Sequence, residues 1–91
     1  MKALHLMIYG RVQGVWFRAS AQEVARRFKI QGWVRNMPDG AVETHIQGDD
    51  KAVAEMLAWC YQGPQGARID RIDIAEVIPQ EEYKAFSIRY Y

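Results

Sequence analysis

The spacing of apolar residues switches between neighbouring segments of the chain, and this switch restricts the fold more than any other feature. In residues 3–9 the apolar side chains occupy every second position, which predicts a strand that Gly10 ends. From Arg18 to Phe28 they follow the i, i+3, i+4 and i+7 spacing of a helix of about three turns. A strand followed directly by a helix indicates a mixed α and β domain.

Both patterns recur in the next part of the chain. Residues 31–37 and 42–46 predict two strands, and the Pro38, Asp39 and Gly40 run between them predicts a tight hairpin. Gly48 closes the second of these strands. A second helix follows, which Asp49 or Asp50 can cap and which Gly63 and Pro64 stop. Its apolar stripe comprises Val53, Met56, Leu57, Cys60 and Tyr61.

Two further strands complete the prediction. The first has Ile72, Ile74 and Ile78 on one face, interrupted by Glu76, and the second alternates apolar residues at Phe86, Ile88 and Tyr90. The order β-α-β-β-α-β with a short extra C-terminal strand suits a ferredoxin-like α+β sandwich, with two helices on one face of a mostly antiparallel sheet. No linker or repeat divides the sequence, so we expect residues 1–91 to form a single domain.

Composition excludes several classes of protein. Twelve Lys and Arg against eleven Asp and Glu give a net charge of +1, and 49% of the residues are hydrophobic, which disfavours disorder and strongly basic nucleic-acid modules. One cysteine cannot form an internal disulfide. No apolar run approaches the roughly 20 residues of a membrane helix, and Lys2 and His5 interrupt the only possible export signal. We expect a cytoplasmic monomer with no nucleic-acid or membrane partner.

The connection from Gly10 to Arg18 reads Gly-Arg-Val-Gln-Gly-Val-Trp-Phe-Arg. Its two glycines match neither the P-loop nor the dinucleotide fingerprint, but a glycine loop at a helix N-terminus can turn backbone amides toward an anion. No acidic residue precedes Glu23. Arg18 opens the helix, where a cation costs about 0.3–1 kcal/mol unless an anion compensates. The alternative is that the loop is only a turn and Arg18 only a solvated cation.

Topology brings Asn36 toward this loop. A right-handed β-α-β crossover makes the first two strands parallel, so their carboxyl ends share one edge of the sheet. With the third strand between them, these ends lie about 10 Å apart, which leaves room for a small substrate and a water molecule. The amide of Asn36 can hold that water in line with a phosphorus atom. Turn preferences alone would instead make Asn36 a hairpin residue.

Other reactive side chains fit structural roles. His5 and His45 lie on different strands without partners at ligand spacing, so no metal site is predicted. Cys60 falls on the apolar stripe of the second helix and is expected in the core. Asp70 and Asp73 flank Arg71 and are expected as solvated charges on an edge strand.

The segments Gly10–Arg18, Gly32–Asn36 and 39–43 resemble the two signatures of the acylphosphatase family, and the similarity extends over essentially the whole chain. The resemblance implies hydrolysis of acyl phosphates to a carboxylate and inorganic phosphate, without a cofactor or metal. It implies that Arg18 and Asn36 are the catalytic residues, Arg18 binding the phosphoryl group and Asn36 orienting the attacking water. It also implies that a set of loop amides holds the phosphate: Gln13, Gly14, Val15, Trp16, Phe17 and Arg18. Met37 departs from the small polar residue common in the family.

Such a site needs few groups. A carboxylate leaving group with a conjugate-acid pKa near ~4 departs without a proton at neutral pH, so no general acid is required. A guanidinium and several amides can stabilise charge on the equatorial oxygens, and the water can pass its proton to a phosphate oxygen. The competing hypothesis is a non-catalytic module that binds phosphate or an acyl phosphate on the same fold. Both hypotheses, the hydrolase and the binding module, have the same expected small-molecule partners, which are an acyl phosphate and inorganic phosphate.

Overall fold

The computed structural model describes residues 1–90 and contains five strands and two helices in the predicted order. The strands are β1 (Lys2–Arg11), β2 (Gln31–Asn36), β3 (Val42–Gly48), β4 (Arg68–Val77) and β5 (Phe86–Arg89). The helices are α1 (Phe17–Phe28) and α2 (Asp50–Gln62). That residues 1–91 form one domain stays a prediction, and Tyr91 lies outside the described residues. Among residues 1–90, neither helix is long and apolar enough to cross a bilayer.

The five strands form one sheet in the order β4-β1-β3-β2-β5. β3 pairs antiparallel with both β1 and β2, so β1 and β2 run parallel with one strand between them, as predicted. β5 adds to the outer side of β2 in parallel. The ferredoxin-like α+β architecture is thus confirmed, and the carboxyl ends of β1, β2 and β5 share one edge of the sheet.

The core lies between the helices and one face of the sheet. Leu6 and Ile8 of β1 are completely buried, as are Val42 and Ile46 of the neighbouring β3. α1 and α2 cover this face with the apolar residues of their stripes: Phe17, Ala21, Val24, Ala25, Val53, Met56 and Cys60. Each large side chain removed from water in this way contributes about 1.5–3 kcal/mol to stability. The apolar faces of the strands and of the helices thus form one core.

The helix-free face of the sheet carries a polar and aromatic network. His5 and Arg35 both contact the carboxylate of Glu43, at 2.7 and 2.5 Å. The buried ring of His45 lies 2.7 Å from Oε1 of Gln47, so both histidines have the structural surroundings that the sequence predicts. The indole of Trp33 donates to the hydroxyl of Tyr83 at 3.1 Å.

β1 extends beyond its predicted end. Gly10 does not stop the strand, which continues to Arg11 past an irregularity in its pairing with β4 at Tyr9 and Gly10. Gly10 has φ +136°, and a Cβ there would lie 2.0 Å from the carbonyl oxygen of Arg68. Glycine is therefore needed for close backbone approach within the strand, a role that sequence pattern does not distinguish from chain termination.

Four predicted apolar positions are more exposed than the patterns indicate. Tyr61 is 51% exposed, because the buried stripe of α2 ends at its neighbour Cys60. Ile74 is 45% exposed on β4, which is an edge strand. Ile78 lies beyond the end of β4, and Tyr90 follows the end of β5. As predicted, Asp70 and Asp73 are exposed on β4, paired with arginines of the same strand.

Candidate active site

The loop between β1 and α1 has an unusual backbone. Gly14 and Trp16 both have positive φ, +74° and +64°, and Val15 between them does not. Residues of alternating hand turn consecutive backbone N–H groups toward the same side, which forms a concave anion-binding nest. The glycine at position 14 suits this geometry without strain, whereas Trp16 adopts it despite carrying a Cβ.

The nest continues into the first turn of α1. Trp16 occupies the N-cap position, yet its side chain caps no backbone group, and the first turn contains no acidic residue. The N–H groups of this turn therefore keep their hydrogen-bonding capacity, at the positive end of the helix dipole. Arg26 and Arg27 lie in the last turn, where cations match the opposite end of the dipole.

A cavity of about 340 Å³ opens where the loop, the start of α1 and the end of β2 meet. It is lined by residues of these segments and of the chain after β5: Val12, Gln13, Gly14, Trp16, Phe17, Arg18, Ala19, Asn36, Ile88 and Tyr90. The structure thus brings together six of the seven predicted site residues, counting Arg18 and Asn36. Val15 does not line the cavity, because its side chain packs into the core.

Arg18 lies in the first turn of α1 and is half-buried at the cavity. Among residues 1–90 no carboxylate lies within ion-pair distance of its guanidinium. Its neighbour is the ring of Tyr90, whose centroid lies 5.1 Å from Cζ. A guanidinium in this setting can bind two oxygens of a phosphoryl group with its planar fork.

Asn36 is the last residue of β2, paired with Val42 of β3. The hairpin turn begins after it, since Gly40 donates to the carbonyl of Met37 and Met37 donates to the carbonyl of Ala41. No side chain or backbone group of residues 1–90 hydrogen bonds with the side-chain amide of Asn36. Its donors and acceptor therefore remain available to a water molecule in the cavity.

Gln13 joins the two sides of the cavity, a role that sequence reasoning missed. Its side-chain amide donates to the carbonyl of Met37 at 2.8 Å and to the carbonyl of Ala41 at 2.9 Å. The loop is thereby fixed to the hairpin that follows Asn36. Only the loop amide of Gln13 was expected to act, and the motif alone contains no signal for a side-chain contact 24 and 28 residues away. Met37 contributes its backbone carbonyl here, which requires no polar side chain.

The carboxylates and histidines of residues 1–90 lie outside the lining of the cavity. Of the residues that line it, only Arg18 carries a charge, and none is Asp, Glu or His. Burial raises the pKa of Cys60 to about 12, which suits the predicted core position and not a nucleophile. Within residues 1–90 no three His, Cys, Asp or Glu side chains are grouped so that they could ligate a metal.

Comparisons with known proteins agree with this architecture. The acylphosphatase family model matches residues 4–88. The chain is 52% identical to an acylphosphatase of Thiobacillus denitrificans over 98% of both chains, and 46% identical to one of Methylococcus capsulatus over 97% and 96%. The crystal structure of an acylphosphatase from Bacillus subtilis superposes with a TM-score of 0.94 at 33% identity, covering 99% of this chain and 100% of that one. The chain therefore belongs to the acylphosphatase family, hydrolases that act on acid anhydrides.

Proposed function

We propose that this protein hydrolyses acyl phosphates by in-line attack of a water molecule that Asn36 positions on a phosphoryl group bound by Arg18 and the amides of residues 13–18. The observation that carries the proposal is the cavity itself. In support of the proposal, this cavity is lined by an arginine without a carboxylate partner among residues 1–90, by the Gly14–Trp16 loop and by the unengaged side-chain amide of Asn36, and it is large enough for a small phosphorylated molecule.

The chemistry follows from the leaving group. The water oxygen forms a new bond to phosphorus while the bond from phosphorus to the acyl oxygen breaks, and the carboxylate leaves with the electron pair. Because a carboxylate is a weak base, it departs without protonation at neutral pH. The proton of the attacking water passes to a phosphoryl oxygen. The protein therefore supplies position and charge stabilisation, which a guanidinium and several amides provide.

We also propose that the protein acts as a cytoplasmic monomer, without a metal or cofactor. The support is the net charge of +1, the single buried cysteine and a cavity whose charge comes from Arg18. The partners required are an acyl phosphate and the inorganic phosphate released from it.

The test is turnover of acetyl phosphate with excess chelator, for wild type, Arg18→Ala and Asn36→Ala. The matched control is Arg11→Ala, which removes an exposed cation that does not line the cavity. We expect Arg18→Ala to lower kcat/KM by about 10²–10³-fold and to weaken inhibition by phosphate, as for removal of a preorganised charge donor. Asn36→Ala should lose turnover and keep phosphate inhibition, and the control should match wild type.

Two outcomes would contradict the proposal. A wild-type protein that binds phosphate but turns over no acyl phosphate is a binding module, the competing hypothesis. A pH profile of kcat that requires a protein group titrating near neutrality would show that a general acid or base has been missed, since none lines the cavity.

A further inference from the structure

The mouth of the cavity is lined by two strongly exposed aromatic rings. Trp16 is 81% exposed and Tyr90 is 80% exposed, and both line the cavity that holds Arg18. The other exposed large aromatic residue among residues 1–90 is Tyr61, at 51%, which lies on α2 and does not line the cavity. Large exposed apolar groups gathered around a cavity are typical of a ligand-binding surface.

The conformation of Trp16 is unfavourable, and its side chain makes no capping or core contact within residues 1–90 that would stabilise the fold in return. It holds a left-handed backbone conformation, with φ +64° and ψ +26°, which is unfavourable for a residue with a Cβ. Its side chain neither caps α1 nor packs into the core. Glycine would satisfy the same backbone at no steric cost. An indole held in a strained and exposed position beside an active site indicates a role in binding.

Tyr90 lines the same cavity from a different segment of the chain. It follows β5, which is parallel to β2, so the chain leaves the sheet at the edge where Asn36 ends β2. Its ring centroid lies 5.1 Å from Cζ of Arg18, which places the ring beside any phosphoryl group that Arg18 binds. Ile88 of β5 is half-buried and adds an aliphatic side chain to the lining of the cavity.

The cavity has a cationic part at Arg18 and an aromatic part at Trp16 and Tyr90, and the two ends of an acyl phosphate differ in polarity in a matching way. The phosphoryl end is anionic and suits the nest and Arg18, while the acyl end must extend toward the mouth. Of the lining residues only Arg18 is charged, so a charged acyl group would find no partner there other than the arginine already committed to phosphate. Aromatic rings favour planar or apolar groups at van der Waals distance.

We propose that Trp16 and Tyr90 form an acyl-binding clamp that selects uncharged apolar acyl phosphates, above all aromatic ones. Both are specificity-determining residues for the reaction proposed above, and the inference rests on that proposed function. Each ring contributes through contact with the acyl group and not through the phosphoryl group. Substrates with an aromatic acyl group should therefore be favoured over those with a small or a charged one.

The test compares kcat/KM for benzoyl phosphate, acetyl phosphate and succinyl phosphate in wild type, Trp16→Ala and Tyr90→Ala, with Tyr61→Ala as the matched control. The measured quantity is the benzoyl-to-acetyl ratio in each variant relative to wild type. This quotient cancels the intrinsic reactivity of each substrate and any change in phosphoryl binding that both share. We expect each single variant to lower the ratio about fivefold, as for loss of one aromatic contact, and Tyr61→Ala to leave it unchanged.

Two further variants separate binding from folding. Trp16→Gly removes the backbone strain together with the ring, so its Tm should not fall while its ratio falls as in Trp16→Ala. Trp16→Phe keeps an aromatic face and should retain most of the ratio. If the benzoyl-to-acetyl ratio fell only in variants with a lowered Tm, whether or not an aromatic ring stood at position 16, the proposal would be overturned.

The outcomes distinguish the clamp from the activity on which it rests. If wild type hydrolyses the substrates but the ratio is the same in Trp16→Ala and Tyr90→Ala, or succinyl phosphate is preferred to benzoyl phosphate, the clamp is refuted and the activity stands. If wild type hydrolyses none of the three, the proposed function fails and the clamp fails with it.

Discussion

One side chain, Gln13, fixes the relative position of the two walls of the cavity, which are the loop before α1 and the hairpin after β2. Within residues 1–90, the side-chain amide of Gln13 is the only side-chain donor that links the loop to the hairpin, and it makes two short hydrogen bonds. In the mechanism proposed above, Arg18 and Asn36 act on the same small molecule from different elements, so a shift of one wall changes their separation. Misplacement of about 1 Å can cost 10²-fold in rate, which makes Gln13 a positioning residue.

Gln13→Leu should reduce kcat by about tenfold or more and leave KM less affected. The variant loses the two hydrogen bonds to the carbonyls of Met37 and Ala41, while the backbone amides of the nest remain. Two neutral hydrogen bonds also contribute about 1–3 kcal/mol to stability. Steady-state kinetics and urea unfolding measure both effects. Gln22→Leu is the control, since it loses one bond to the carbonyl of Phe86, which lies at the far end of β5. Equal losses of kcat in the two variants would mean that Gln13 acts only on stability.

Glu43 makes stability depend on pH in the acid range. Burial raises the pKa of this carboxyl, but hydrogen bonds from His5 and Arg35 together lower it further, and the net pKa lies below the usual value of 4.5. A carboxyl whose folded pKa is depressed contributes stability above its unfolded pKa, and this contribution is lost as pH falls through the folded pKa.

Wild type should therefore lose stability relative to Glu43→Gln as pH falls below about 4.5, with the difference largest at pH 7 and narrowing toward pH 2. Urea unfolding at intervals of one pH unit measures this. A constant difference between the two proteins over that range would show that Glu43 does not titrate with folding.

At the scale of elements, the sequence predicts the order, the type and the approximate extent of every strand and helix, because each periodic pattern is long enough to specify one buried face. It also predicts which elements meet at the site, since the right-handed crossover fixes the edge where β1 and β2 end. The exposure of Tyr61 and Ile74 was not predictable, because a periodic pattern does not show where a stripe ends or which strand becomes an edge. The strained Trp16 and the long-range bonds of Gln13 depend on tertiary structure alone.

Gly10 in β1 and Gly14 in the loop that follows should respond differently to alanine. Gly10→Ala places a Cβ 2.0 Å from the carbonyl oxygen of Arg68, so β1 and β4 must separate locally. Gly14→Ala meets nothing within 4 Å and suffers only from its φ of +74°. We expect Gly10→Ala to destabilise by about 3 kcal/mol or more and Gly14→Ala by about 1–2 kcal/mol. Thermal unfolding measures both, and equal effects would show that the β1–β4 approach relaxes freely.

At the scale of the whole molecule, the single core makes unfolding cooperative. The two helices and the central strands β1 and β3 share one apolar cluster, and no part of residues 1–90 has a second one. Cys60 lies within this cluster, 1% exposed, with its pKa raised by burial to about 12. Its thiol is therefore protected both by burial and by its raised pKa, which keeps it in the unreactive protonated form at pH 8.

Alkylation of Cys60 should report global unfolding. In native protein at pH 8 we expect iodoacetamide to react orders of magnitude more slowly than with the urea-unfolded chain, and the logarithm of the rate should rise with urea at the slope of equilibrium unfolding. Cysteine is unique in the sequence, so mass spectrometry follows one site. A rate independent of urea at low concentration would reveal a local opening of α2 that the shared core does not predict.

The direction of the outermost parallel strand has a practical consequence for attaching this enzyme to anything else. β1 enters the sheet at the edge remote from the cavity, whereas β5 leaves it at the cavity edge, with Tyr90 at the mouth. A tag or tether joined ahead of Met1 would begin about 30 Å away, one ten-residue strand length from the cavity. The same tag joined to the chain after Tyr90 would start beside the opening. Surface immobilisation through the amino end should preserve access for substrate, and attachment through the carboxyl end should obstruct it.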